Sequence, residues 1–258
     1  MSIPILMYHE VGPVETLTER YTVPTHKFRE QLRYLKDHGY RTISLPDLGR
    51  AARAPGDEKQ LVITFDDNNL CHYSISTPIL AEFGFRATFF IVTSLIDSQA
   101  DMVSTMQLAQ MKDAGMSIES HSHTHRFLSD LNPDDLRDEL ETSRRILEDR
   151  LHAEARFISC PGGRYSRKVL EAALDTGYSG VCTSAPGLNN FVRGEPPRAL
   201  DRFLVSATTP LETFAKIVGG DRRFVGAQVR RHRAKSLVKS LLGNRTYDRL
   251  WRRYRRDV

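Results

Sequence analysis

Three histidines fall at alternate positions in the run Ser120-His121-Ser122-His123-Thr124-His125, and two adjacent carboxylates, Asp66 and Asp67, close the apolar run 61–65. Imidazole and carboxylate are donors that zinc accepts, and cobalt, nickel or manganese suit them as well. Two histidines and one aspartate leave a fourth position open, the arrangement of a hydrolytic rather than a structural metal. Such a metal lowers the pKa of bound water and polarises a carbonyl oxygen. Spacing leaves the histidine pair open: His121 and His125 stand i, i+4, whereas His121 and His123 converge if the segment stays extended. Neighbouring side chains on an extended chain point in different directions. Asp66 and Asp67 can therefore serve different ends, one on a cation and the other toward a substrate.

The elements around these residues alternate. Apolar runs at 3–8, 61–65, 87–92, 117–120, 156–159, 179–183 and 202–206 read as strands, the stronger ones nearly continuous in apolar residues, as in strands covered on both faces. Between them lie helices predicted at 26–38, closed by Gly39, at 105–114, closed by Gly115, and at 133–151, opened by Asn132 with Pro133 at the first helical position. This rhythm predicts a parallel α/β fold, an open sheet or a barrel, in which functional groups gather beyond the carboxyl ends of the strands. His9, Asp66 and Asp67, the histidine run and the segment Cys160-Pro161-Gly162-Gly163-Arg164-Tyr165 all occupy such places.

The segment Thr64-Phe65-Asp66-Asp67-Asn68, followed about 55 residues later by His121-Ser122-His123-Thr124-His125, resembles the polysaccharide deacetylase family, also called NodB-homology or carbohydrate esterase 4. The similarity spans residues 3–218. It implies a distorted (β/α)7-type barrel, a metal held by Asp67, His121 and His125, and Asp66 as general base. Ile158 to Ser166 looks like the third motif of the family, whose oxyanion-hole N–H is then that of Gly162. The usual C-terminal Leu-x-His motif is absent from its place. The opening Ile5-Leu6-Met7-Tyr8-His9-Glu10 is similar to circularly permuted members, which makes His9 the candidate general acid. Two positions depart from the pattern: Asn68 replaces a glycine, and Ser159 replaces the arginine that pairs with the catalytic aspartate. Arg164 or Arg202 could supply that charge by another route.

The resemblance implies hydrolysis of an N-acetyl group on a sugar, the substrate being an exopolysaccharide, a cell-wall glycan or a lipid-linked precursor. O-acetyl ester hydrolysis, a non-sugar amide substrate and an inactive glycan-binding barrel are the competing readings.

The net charge of +5 is unevenly spread. Residues 222–258 hold 13 of the 37 Lys and Arg and only Asp248 and Asp257 of the acidic residues, a net +11, which leaves the rest of the chain at −6. The domain reading is accordingly a barrel over 1–220 and a basic helical C-terminal extension over 221–258. Leu237, Leu241 and Leu242 make one apolar stripe there, and Tyr247, Leu250, Trp251 and Tyr254 another. Such helices either pack on the barrel or rest on an anionic membrane surface, and no aromatic-basic stacking platform recommends nucleic acid. Three cysteines without a CxxC pair fit a reducing compartment, and the N-terminus lacks the basic region of a secretory signal. The expectation is a cytoplasmic protein, peripheral at the inner face of a membrane if the tail docks there.

Overall fold

The computed structural model describes residues 2–13, 21–51, 58–190 and 197–242. Eight strands make one parallel sheet: β1 (Ile5–Tyr8), β2 (Lys59–Phe65), β3 (Thr88–Ile91), β4 (Ser117–Ser120), β5 (Phe157–Ser159), β6 (Gly180–Cys182), β7 (Ala199–Leu200) and β8 (Phe203–Leu204). Their order is β7-β6-β5-β4-β3-β2-β1-β8, and a short strand Tyr40–Thr42 also pairs with β2. β7 and β8 are separated only by Asp201 and Arg202, yet they pair with opposite edges, Val181 facing Ala199 and Leu6 facing Phe203. They act as one strand bent at Arg202, and that bend closes a ring of seven staves. The first strand of this sheet thus stands beside its last, between β2 and β8.

Besides a single turn at Leu48–Ala51, the helices are α1 (Thr25–Asp37), α2 (Thr77–Phe83), α3 (Thr105–Asp113), α4 (Pro133–Leu151), α5 (Arg167–Asp175), α6 (Leu211–Val218) and α7 (Arg222–Leu242). The caps that the sequence announces are made. Asn132 accepts from the Asp135 N–H at 2.9 Å, and Ser104 and Gln107 form a reciprocal capping box ahead of α3. Gly39 and Gly115 take the left-handed φ of +71° and +87° that stops α1 and α3.

Alternation along the strands sorts their side chains. Leu6, Tyr8, Ile63, Phe65, Phe89 and Ile91 face the helices and pack with Phe28, Leu32 and Leu80. Ile5, Val62, Phe90, Phe157, Cys182 and Leu200, from six different strands, form a separate buried cluster inside the ring. Polar groups sit above this plug, toward the carboxyl ends of the strands. The first turns of α7 join the main core: Val225 is buried, and Phe224 and Val229 pack against it. The stripe that includes Tyr247, Leu250, Trp251 and Tyr254 lies outside the described residues. No helix among the described residues is long and apolar enough to cross a membrane.

Candidate metal and catalytic site

β2 delivers Asp66 and Asp67 to the rim, and the chain then turns sharply, with φ of +78° at Asp67 and +34° at Asn68. Asparagine tolerates this left-handed region better than most residues. The Asn68 side chain folds back so that its Oδ1 accepts from the Val92 N–H at 3.3 Å, and its carbonyl accepts from Val103 N–H at 3.1 Å. A side chain at the usual glycine position is thereby absorbed by the β3 end rather than projected into the site.

β4 delivers the histidines. His121 is buried, its Nδ1 lies 2.9 Å from the Ser159 carbonyl, and its Nε2 lies 3.1 Å from Asp67 Oδ1. With Nδ1–H donated to that carbonyl, Nε2 carries the free lone pair, the usual orientation of a metal-binding histidine. His125 Nε2 lies 3.2 Å from the same Asp67 oxygen. The i, i+4 pair converges without a helix, because the loop turns through φ of +68° at Ser122 and +61° at His125. Glu139 on α4 holds that loop, accepting from the His123 and Thr124 N–H groups at 2.9 Å each and from the Thr124 hydroxyl. His123 turns away, its Nδ1 2.9 Å from Thr93 Oγ1.

Asp67, His121 and His125 each offer one ligand atom, all within 4.8 Å of one another. An ion with bonds of about 2.0–2.1 Å in tetrahedral geometry needs ligands roughly 3.4 Å apart. Two of the three edges here measure 3.1 and 3.2 Å, and Asp67 Oδ1 is buried with no hydrogen-bond donor to satisfy it among the described residues. The three residues fit a divalent cation, with one face left open.

Asp66 is 3% exposed and makes a two-pronged ion pair with Arg202, Nη1 to Oδ1 at 2.7 Å and Nη2 to Oδ2 at 2.8 Å. Arg202 is fully buried at the β7–β8 bend and lies 5.3 Å from the centroid of the Phe90 ring. Its remaining donors reach the Thr183 carbonyl at 2.8 Å, Ser159 Oγ at 2.7 Å and Thr64 Oγ1 at 3.1 Å. Burial pushes the Asp66 pKa up, but the Arg202 and His121 charges and the Arg202 hydrogen bonds outweigh it and hold the group at about 2. The charge missing from position 159 thus arrives from the opposite end of the barrel, and Ser159 bridges the two, donating to Asp66 Oδ2 at 3.1 Å. Arg164 lies elsewhere: it donates to Asp130 at 2.9 Å and stacks over the Phe127 ring at 3.8 Å.

His9 ends β1 beside this cluster. Burial lowers its pKa, while the Asp66 and Asp67 carboxylates oppose that shift. Its ring lies 4.9 Å from that of Tyr21, and its Nδ1 is buried without a partner among the described residues. Its carbonyl accepts from Nε2 of the fully buried His72 at 2.5 Å. Burial pulls His72 down to about 4, so its ring is neutral and can donate this bond. Gly162, at φ +60°, turns the chain after Pro161, and a Cβ there would stand 2.6 Å from the Phe127 ring. No hydrogen-bond acceptor for the Gly162 N–H is found among the described residues.

His72, Glu139 and Tyr21 escaped the sequence reading. Their types carry no motif, and only folding brings them to the rim.

Residues 53–181 match the family model described as polysaccharide deacetylase. The Bacillus subtilis protein YxkH, named for the polysaccharide deacetylases, is 32% identical over 79% of this chain and 71% of its own length. An Escherichia coli poly-beta-1,6-N-acetyl-D-glucosamine N-deacetylase is 36% identical over 37% of this chain, but the match spans only 15% of that enzyme. Among solved structures, the Streptococcus pyogenes deacetylase PplD in complex with acetate superposes with a TM-score of 0.77 at 28% identity, covering 84% of this chain and 98% of that one.

Proposed function

The chain belongs to the polysaccharide deacetylase family, carbohydrate esterase 4, and from that premise we propose that it hydrolyses N-acetyl groups on an acetylated glycan, with Asp67, His121 and His125 holding a divalent cation, zinc first. The observation that carries this reading is the meeting of three ligand atoms from β2 and β4 beside an ionised, arginine-held Asp66.

A cation bound there supplies Lewis acidity toward the carbonyl oxygen and toward water. The rest of the chemistry falls to side chains and backbone. Asp66, kept charged by Arg202, takes the proton of the attacking water at a carboxylate oxygen. The Gly162 N–H donates to the oxygen that gains charge as the carbonyl carbon becomes tetrahedral. His9 delivers a proton to the departing amine, anchored by the His72 bond to its carbonyl. Base and acid rise from neighbouring strands, β2 and β1, so that both face one substrate carbonyl.

The glycan is an exopolysaccharide, a cell-wall polymer or a lipid-linked precursor. In the last case a cytoplasmic site at the inner face of a membrane, reached through residues 222–258, belongs to the same proposal; sedimentation with anionic vesicles tests it. The reaction is tested by metal analysis together with acetate release from a panel of N- and O-acetylated sugars and lipid-linked sugars. Asp66→Asn is expected to keep its metal and lose turnover. Hydrolysis by a metal-loaded Asp66→Asn enzyme would sink the base assignment.

A further inference from the structure

We propose that the cleft between the Gly162–Tyr165 turn and α7 seats a neutral, hydroxyl-bearing sugar residue adjoining the one whose acetyl group is removed. The inference rests on the deacetylase reading and adds to it a specificity element from the C-terminal helix. The cleft has a volume of about 580 Å³, within the usual range for small-ligand sites. Gly162, whose N–H is the candidate oxyanion-hole donor, forms part of its lining. Thr183 and Asp201 line it from the β6 and β7 ends, and His232 and Ser236 from α7.

The cleft is lined by charges of both signs, Asp201 against Arg164 and Lys235, so it carries no strong net charge. Asp201 is held by the Thr183 hydroxyl at 2.9 Å and faces the positive fields of His232 and Arg233. Arg164 is tied to Asp130. Paired charges and hydroxyls offer directional hydrogen bonds to sugar hydroxyls, whereas a phosphate would meet the Asp201 carboxylate. Tyr165 keeps 40% of its surface exposed and offers a ring against which the apolar face of a pyranose can pack.

The α7 wall rises as an exposed stretch of helix from an anchored base, where Val225 is buried and Phe224 and Val229 pack on the main core one to three turns earlier. His232 and Ser236 stand i, i+4 and share one face of the helix. The family match ends at residue 181, before this wall begins.

The test uses the full metal-loaded chain, its Ser236→Trp variant, which fills the cleft from an exposed helix face, and His232→Ala. The substrates are the dimer and pentamer of β-linked N-acetylglucosamine. The wild type should favour the pentamer in kcat/KM, and Ser236→Trp should cut the pentamer-to-dimer ratio by about tenfold, through KM. His232→Ala should move the ratio in the same direction. Equal ratios in wild type and Ser236→Trp overturn the proposal. If the wild type hydrolyses neither oligomer, the deacetylase reading is judged on the acetate-release panel, and calorimetric binding of the pentamer decides the cleft: weaker binding to Ser236→Trp supports it, equal binding overturns it. Loss of binding to phosphatidylglycerol vesicles by Ser236→Trp, with the sugar ratio unchanged, assigns the cleft to a lipid headgroup and also overturns it.

Discussion

Replacing Arg202 with methionine should do two separable kinds of damage. The guanidinium makes two bonds to Asp66 and three more to Thr183, Ser159 and Thr64. The drop of the Asp66 pKa from 3.8 to about 2 is the surplus of these attractions, with those of His121 and His9, over burial, on the order of 2 kcal/mol in favour of the charged form. Because the folded-state pKa is depressed, this stabilisation is present above the unfolded value and disappears as pH falls through about 2. Without Arg202 only the His121 and His9 charges oppose the burial cost, so the Asp66 pKa rises and the acid limb of activity moves to higher pH. Removing one partner of a buried pair costs about 3–5 kcal/mol, more than the surplus, because the remaining charge is left unpaired. Urea unfolding of the chelator-treated protein at neutral pH, for the wild type, Arg202→Met, Asp66→Asn and the double variant, completes a cycle free of metal. The double variant should be less destabilised than the sum of the singles by ~2–3 kcal/mol. A coupling below about 0.5 kcal/mol would refute the claim that Arg202 replaces the arginine missing from position 159.

Metal content should fall below one equivalent in His125→Ala and in Asp67→Ala but persist in His123→Ala, whose ring is engaged by Thr93; plasma emission analysis reads this directly, and the opposite pattern would exchange the two histidines. His9→Ala should lower kcat by about 10²–10⁴ with bound metal unchanged, as expected for a lost general acid; single-turnover acetate release measures it. Glu119 is buried on β4 beneath the Arg156 and Phe157 N–H groups at 2.7 Å, and burial pushes its pKa up to about 8. A raised carboxyl pKa gives stability that is full below the unfolded value of 4.5 and is lost as pH rises toward 8. Deprotonation of His72 offsets this loss up to about pH 6.5, so the Glu119 contribution is read as the difference in urea midpoint between wild type and Glu119→Gln, which should shift steadily against the wild type from pH 4.5 to 8; a constant difference contradicts the account.

Much of the architecture was legible because it is written in local pattern. Apolar runs of strand length, the Asn132–Pro133 helix start and the glycine stops at 39 and 115 act within a few residues, and their elements appear near the expected bounds. α2, α5 and α6 were missed. α2 follows a π-turn at His72–Ser76, which blurs its start, whereas α5 and α6 are amphipathic and α5 has its own cap, Ser166 accepting from the Val169 N–H, a signal that the sequence reading passed over.

At the site, residue type and order determined the donors: two aspartates at one strand end, histidines at another, and the Gly162 turn at a third. The tertiary structure decided how they meet. His125 rather than His123 approaches Asp67 because two left-handed turns and the Glu139 hydrogen bonds bend the loop. Arg202 rather than Arg164 reaches Asp66, 136 residues away, because the last strand breaks between the two edges of the sheet and turns its side chain inward. Spacing can nominate such partners, but only ring closure, which sets nonlocal distances and excludes water, selects among them.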